Sequence, residues 1–141
     1  MNNYFTLYEF FYSDTALSKK IPNWPEDFWV IDNIQDKLVP ALNGLREAWG
    51  GPIKITSGYR SPELNKAVGG VKNSVHMKGL AVDLYPVNGD IKLFEYFVPE
   101  YFKDKPFDQI IKEQSGNSRW IHFGIESGDG KQRKQILGIK L

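Results

Sequence analysis

Two short segments hold the side chains most suited to gripping a metal ion. One is Ser74-Val75-His76-Met77-Lys78-Gly79-Leu80-Ala81-Val82-Asp83, with a histidine just before an alternating stretch and an aspartate inside it. The other is Trp120-Ile121-His122-Phe123-Gly124. The chain has only two histidines and no cysteine, so disulfides and thiolate metal sites are excluded. Any metal must be held by imidazole nitrogen and carboxylate oxygen, a donor set that suits zinc. His76, Asp83 and His122 leave a fourth position for water, the pattern of catalytic rather than structural zinc sites. Such an ion lowers the pKa of its water to about 7 and polarises a carbonyl, so the chemistry indicated is hydrolysis.

That chemistry also needs a proton carrier and an anchor for negative charge. Glu113 ends the stretch before His122. If the two stretches form a hairpin, either even register puts Glu113 on the face of His122, as a general base. Arg60, in Ser57-Gly58-Tyr59-Arg60-Ser61-Pro62, sits in a tight loop before a helix start. Its guanidinium can clamp a substrate carboxylate or a developing oxyanion, or simply pair with Glu63 at the surface. Tyr59 and Trp120 are candidates for a substrate groove or for core packing. Ser74 either hydrogen-bonds near the metal or caps its turn.

The elements that must position these groups follow from periodicity. Val30, Ile34, Leu38, Leu42, Leu45 and Trp49 recur at helical spacing, predicting a helix over 26–49. Pro25 is expected to start it, Pro40 to kink it and Gly50-Gly51 to end it. Residues 53–56 alternate as a strand, and Ser61-Pro62 reads as the cap and first position of a short helix. Gly79–Tyr85 alternates again, with Asp83 beside the small Ala81. A helix over 90–98 is expected, capped by Asn88 and ended near Pro99. Strands are expected over 107–113 and 119–125, with 114–118 as the turn, and the tail 131–141 offers one more. The order predicts an α+β domain with an antiparallel sheet and flanking helices. Residues 1–25 would form an N-terminal cover, 26–125 the core and 126–141 a C-terminal tail.

Composition sets the outer bounds. With 141 residues, 41% hydrophobic and 25% charged, the chain has the size and balance of one globular domain. Four Trp, seven Tyr and nine Phe supply the bulk of a core. A net charge of +1 without a long basic run gives no reason to expect a nucleic-acid partner. Lys131-Gln132-Arg133-Lys134 reads as a solvated face. No apolar run reaches the ~18 residues of a membrane span, and the N-terminus does not read as a signal peptide. Oligomeric state is not legible in the sequence, and a monomer is the default expectation.

Ile-Thr-Ser-Gly-Tyr-Arg-Ser-Pro at 55–62, Ser-x-His-x-x-Gly-x-Ala-x-Asp at 74–83 and Trp-Ile-His at 120–122 together resemble the zinc D-alanyl-D-alanine carboxypeptidase family. That family includes phage L-alanyl-D-glutamate endopeptidases and shares its metal-site fold with Hedgehog signalling domains. The resemblance covers roughly residues 36–125. It implies a zinc peptidase acting on peptidoglycan peptides, with His76, Asp83 and His122 as ligands, Arg60 as a substrate or transition-state contact and Glu113 as base. In the family the acid usually stands closer to the last histidine, and here the position three before His122 is Arg119. Residues 114–119 are therefore read as a longer hairpin turn; in another register Asp108, or no residue, would be the base. The resemblance further implies a phage or prophage origin. Without a signal peptide, the protein would reside in the host cytoplasm before release, or on a virion, and act on the cell wall.

Overall fold

In the computed structural model, which describes residues 3–141, one five-stranded sheet carries the candidate residues and helices bury its other face. Two short helices come first, α1 (Leu7–Phe11) and α2 (Asp14–Lys19). Phe5, Phe10 and Phe11 from this segment are buried against the core. Asn23 then fastens the segment in place. Its amide donates to the carbonyls of Phe11 and Tyr59, both at 2.9 Å, and its oxygen accepts from the Ser61 N–H at 2.7 Å.

The long helix begins later than expected. Asp27 is its N-cap and α3 runs Phe28–Asn33, leaving Pro25 outside. A wide π turn over Ile34–Leu38 leads into α4 (Val39–Trp49). This turn is the response to Pro40. Proline lacks an N–H and its ring crowds the carbonyl four residues back, so the preceding turn widens, with the Val39 N–H reaching back to Ile34. Gly50, in the left-handed region at φ 80°, closes the helix. Ile34, Leu38, Leu42 and Leu45 are all fully buried, which is the stripe their spacing predicts.

Strand β1 (Ile53–Ser57) leads to α5 (Pro62–Ala67), where the Ser61 hydroxyl accepts from the Leu64 N–H at 3.2 Å. A 3-10 turn over Val75–Lys78 then feeds β2 (Ala81–Pro86). Gly79 joins the two at φ 70°, and a Cβ there would stand 2.7 Å from the Val30 carbonyl oxygen. Only glycine lets the turn lie against α3. Asn33 completes that contact by donating to the Lys78 carbonyl at 2.9 Å.

Helix α6 (Ile91–Phe102) is capped by Asp90 rather than Asn88, the Asp90 carboxylate accepting from the Lys92 and Leu93 N–H groups. It runs through Pro99 to Phe102. Strands β3 (Gln109–Ser115) and β4 (Ser118–Gly124) pair to the very end, Ser115 against Ser118, so the turn is only Gly116-Asn117. Gly116 has φ 58°, which lets a two-residue hairpin close where the sequence suggested a longer loop.

The strand order is β1-β2-β4-β3-β5, with β5 spanning Gln135–Lys140. The first four strands are antiparallel, as expected, and β5 adds one parallel pairing, to β3. Because β4 ends beside the start of β3, the 125–134 connection turns back at that same end. Arg133 pins it there. The guanidinium grips both oxygens of buried Asp108 at 2.8 Å each, and the Arg133 N–H adds a bond at 3.0 Å. The 131–134 stretch is thus not merely a solvated face. Phe94, Val98, Phe102, Phe107, Ile110, Ile121 and Phe123 fill the space between sheet and helices. Fully burying one such aliphatic or aromatic side chain contributes about 1.5–3 kcal/mol. No helix among the described residues is long and apolar enough to cross a membrane.

Candidate metal centre

Pairing of β2 with β4 places Asp83 directly opposite His122, and their small neighbours Ala81 and Gly124 opposite each other. Strand alternation points both functional side chains to one face. His76 comes from outside the sheet, on the 3-10 turn that Ser74 caps through its hydroxyl and the His76 N–H. The Arg60 N–H adds a bond to the His76 carbonyl at 3.1 Å, fastening that turn to the loop after β1.

One oxygen of Asp83 lies between the two imidazoles. Oδ1 is 3.5 Å from His76 Nε2 and 3.3 Å from His122 Nδ1. Ligand atoms of the three residues all lie within 4.8 Å of one another. Two donors bound about 2.1 Å from one tetrahedral ion stand about 3.4 Å apart, so these spacings fit zinc. His76 and Asp83 are buried and His122 is half-buried. His76 Nδ1 lies 2.8 Å from the Gly58 carbonyl oxygen and donates to it, which leaves Nε2 bare to coordinate. Gly58 itself is packed so closely that a Cβ would come 2.5 Å from the Phe10 carbonyl oxygen. Burial raises the Asp83 carboxyl, but the flanking imidazoles more than offset it and hold the group well below the usual carboxylate range.

Arg60 faces this centre. It does not turn to Glu63. Its Nη2 is 3.6 Å from Asp83 Oδ2, its Nε donates to the Ser57 hydroxyl at 3.1 Å, and its Nη1 donates to Asn65 Oδ1 at 3.3 Å. Asp83 therefore presents one oxygen to the imidazoles and the other to a guanidinium. Burial lowers the Arg60 pKa while Asp83 and Glu113 raise it, and an arginine so placed remains a cation. Of five guanidinium N–H groups, these anchors leave some to face a ligand.

Glu113 is paired with Trp120 across the β3–β4 ladder, and Ile111 with His122. Glu113 thus shares the metal face, about 7 Å along the strand from the His122 pair. Trp120 donates its indole N–H to Glu113 Oε1 at 2.7 Å and fixes the carboxylate's direction. Asp108, the alternative base, is held by Arg133 and buried away from the cluster. Arg119, where an acid would stand closer to His122, is engaged by both carboxylate oxygens of Glu95 on α6.

The remaining candidates divide. Ser74 is a cap. Tyr59 is 6% exposed and packs edge-on against Phe11, with its N–H bonded to the Phe10 carbonyl. Sequence reasoning missed Ser57, Asn65 and the Gly58 carbonyl. Ser57 and Gly58 stood inside the 55–62 motif, but nothing in their types marked them as supports for Arg60 and His76. Asn65 carried no signal at all.

Comparison with curated proteins returned no match. A family model for peptidase M15 matches residues 3–123. That span takes in both histidines, Asp83, Arg60 and Glu113, and the clustered donor set is the one a zinc peptidase needs; the chain belongs to the peptidase M15 family.

Proposed function

We propose that the protein is a zinc-dependent peptidase that hydrolyses an amide bond in the stem peptides of peptidoglycan. The observation that carries this reading is the spacing of His76 Nε2, His122 Nδ1 and Asp83 Oδ1, which suits one tetrahedral ion. Zinc, when bound, lowers the pKa of water toward 7 and polarises the scissile carbonyl. The chain's own residues do the rest. Glu113, aimed by Trp120, takes a proton from the attacking water and passes it to the leaving amine nitrogen. Arg60 offers its free N–H groups to a substrate carboxylate or to the developing oxyanion. His76 and His122 stay neutral as ligands, the former held by the Gly58 carbonyl. Stem peptides carry free carboxylates, which suits a buried cationic anchor. We take the protein to meet the wall after host lysis or from a virion.

The displaced acid, with Arg119 three positions before His122, supports one rival reading: a zinc-holding module of the same fold without turnover. Purified peptidoglycan incubated with zinc and either wild type or Glu113→Ala, with new amino groups counted, separates the two. Release by wild type and a loss of at least a hundredfold in the variant are expected. Equal release by both would remove Glu113 from the mechanism, and none by either would favour the module.

A further inference from the structure

A cleft of about 460 Å³ opens where β2 ends and β4 begins, between the start of α6 and the β3–β4 turn. It falls within the size range of small-molecule sites. Tyr85, Trp120, Thr56, Ile91, Asn117 and Ser118 line it. Tyr85 lies two residues beyond Asp83 and Trp120 two before His122, so both share the metal face at about 7 Å from the ligand pair. The Arg60 backbone enters from the opposite side. It follows Ser57, which pairs with Asp83, whereas β1 runs back from there toward the partners of Tyr85 and Pro86. The Arg60 guanidinium sits level with Asp83, and the aromatic pair, with Lys54 paired to Tyr85, lies further along the strand axis.

We propose that this cleft is the acyl-side subsite and takes an N-acylated amino sugar attached to the amino end of the peptide; this rests on the peptidase reading above. In both candidate bonds, D-Ala-D-Ala and L-Ala-D-Glu, the free carboxylate belongs to the residue that leaves as the amine. With that carboxylate at Arg60, the acyl half runs toward Tyr85 and Trp120. For L-Ala-D-Glu that half is one alanine and a lactyl link, each spanning about 3.5 Å, so a sugar begins about 7 Å from the bond. The cleft begins at that distance. Its lining fits a sugar in kind as well. Tyr85, 40% exposed, and Trp120, pinned by Glu113, offer apolar faces to a ring. Asn117, Ser118 and Thr56 offer neutral partners for hydroxyl and amide groups. The charge of Arg119, which also borders the cleft, is taken up by Glu95.

The test is binding rather than turnover. N-acetylmuramyl-L-alanyl-D-glutamate and N-acetyl-L-alanyl-D-glutamate are titrated calorimetrically into the zinc-loaded Glu113→Gln protein, with and without Tyr85→Ala or Tyr85→Phe. The sugar-bearing probe should bind about tenfold more tightly. Tyr85→Ala should erase that advantage and leave the sugar-free probe unchanged, while Tyr85→Phe should keep it. Equal affinity of the two probes, an advantage that survives Tyr85→Ala, or no binding of either probe would overturn the proposal. A sugar advantage in a wild type that releases no amine from peptidoglycan would sink the peptidase reading and leave the subsite standing.

Discussion

The indole N–H of Trp120 and the carboxylate of Glu113 meet at 2.7 Å across a directly paired position of the β3–β4 ladder. One strand pairing thereby aims the proposed base and places it two residues from the partner of His122. Trp120→Phe keeps the ring and removes only the donor. We expect kcat to fall about tenfold with zinc content unchanged, since one positioning hydrogen bond is worth roughly 0.5–1.5 kcal/mol. Steady-state kinetics beside metal analysis decides it; an unaltered kcat would show that Glu113 needs no such support.

Metal content tests the ligand set. His76→Ala should lower bound zinc from one equivalent to near none, and so should His122→Ala. Acidification should also release zinc, because ligating histidines must be neutral. Full zinc retention in the His76 variant would remove it from the ligand set.

Gly58 supports the metal indirectly. In Gly58→Ala the new methyl group meets the Phe10 backbone, so the loop must move and with it the carbonyl that orients His76. The expected cost is about 1–3 kcal/mol of stability from overpacking, and roughly ten- to hundredfold in zinc affinity from the lost orienting bond. Thermal melts read the first and a competitive zinc titration the second. A variant with wild-type affinity would mean that the imidazole is oriented by packing alone.

Acid sensitivity should have a component at the β5 anchor. The hydrogen bond from Arg133 depresses the Asp108 carboxyl, against the opposing effect of burial. A carboxyl depressed on folding stabilises fully above its unfolded value of about 3.9, and that contribution is lost as pH falls through the lower folded value. Arg133→Gln should therefore lower stability at neutral pH, because a buried acceptor is left short of partners. It should also flatten the acid arm of a stability-versus-pH curve. Urea midpoints at pH 7 and pH 3 measure both; a variant with an unchanged acid arm would contradict this account.

The donor set itself could be read from the chain, because two histidines and no cysteine left few ways to hold a metal. Ile34, Leu38, Leu42 and Leu45 marked the long helix by spacing alone, and the alternation around Asp83 and His122 fixed which side chains share a face. These are local periodicities, carried by each residue's immediate neighbours. Convergence was decided elsewhere. His76 reaches Asp83 because Gly79 lets the turn pack against α3, and Arg60 turns to Asp83 because Ser57 and Asn65 hold it there. The Glu113 register depended on how tightly Gly116-Asn117 could turn, and the parallel β5 on where Arg133 found Asp108. Such outcomes depend on packing and hydrogen bonds between segments distant in the chain, whose energies no local pattern encodes.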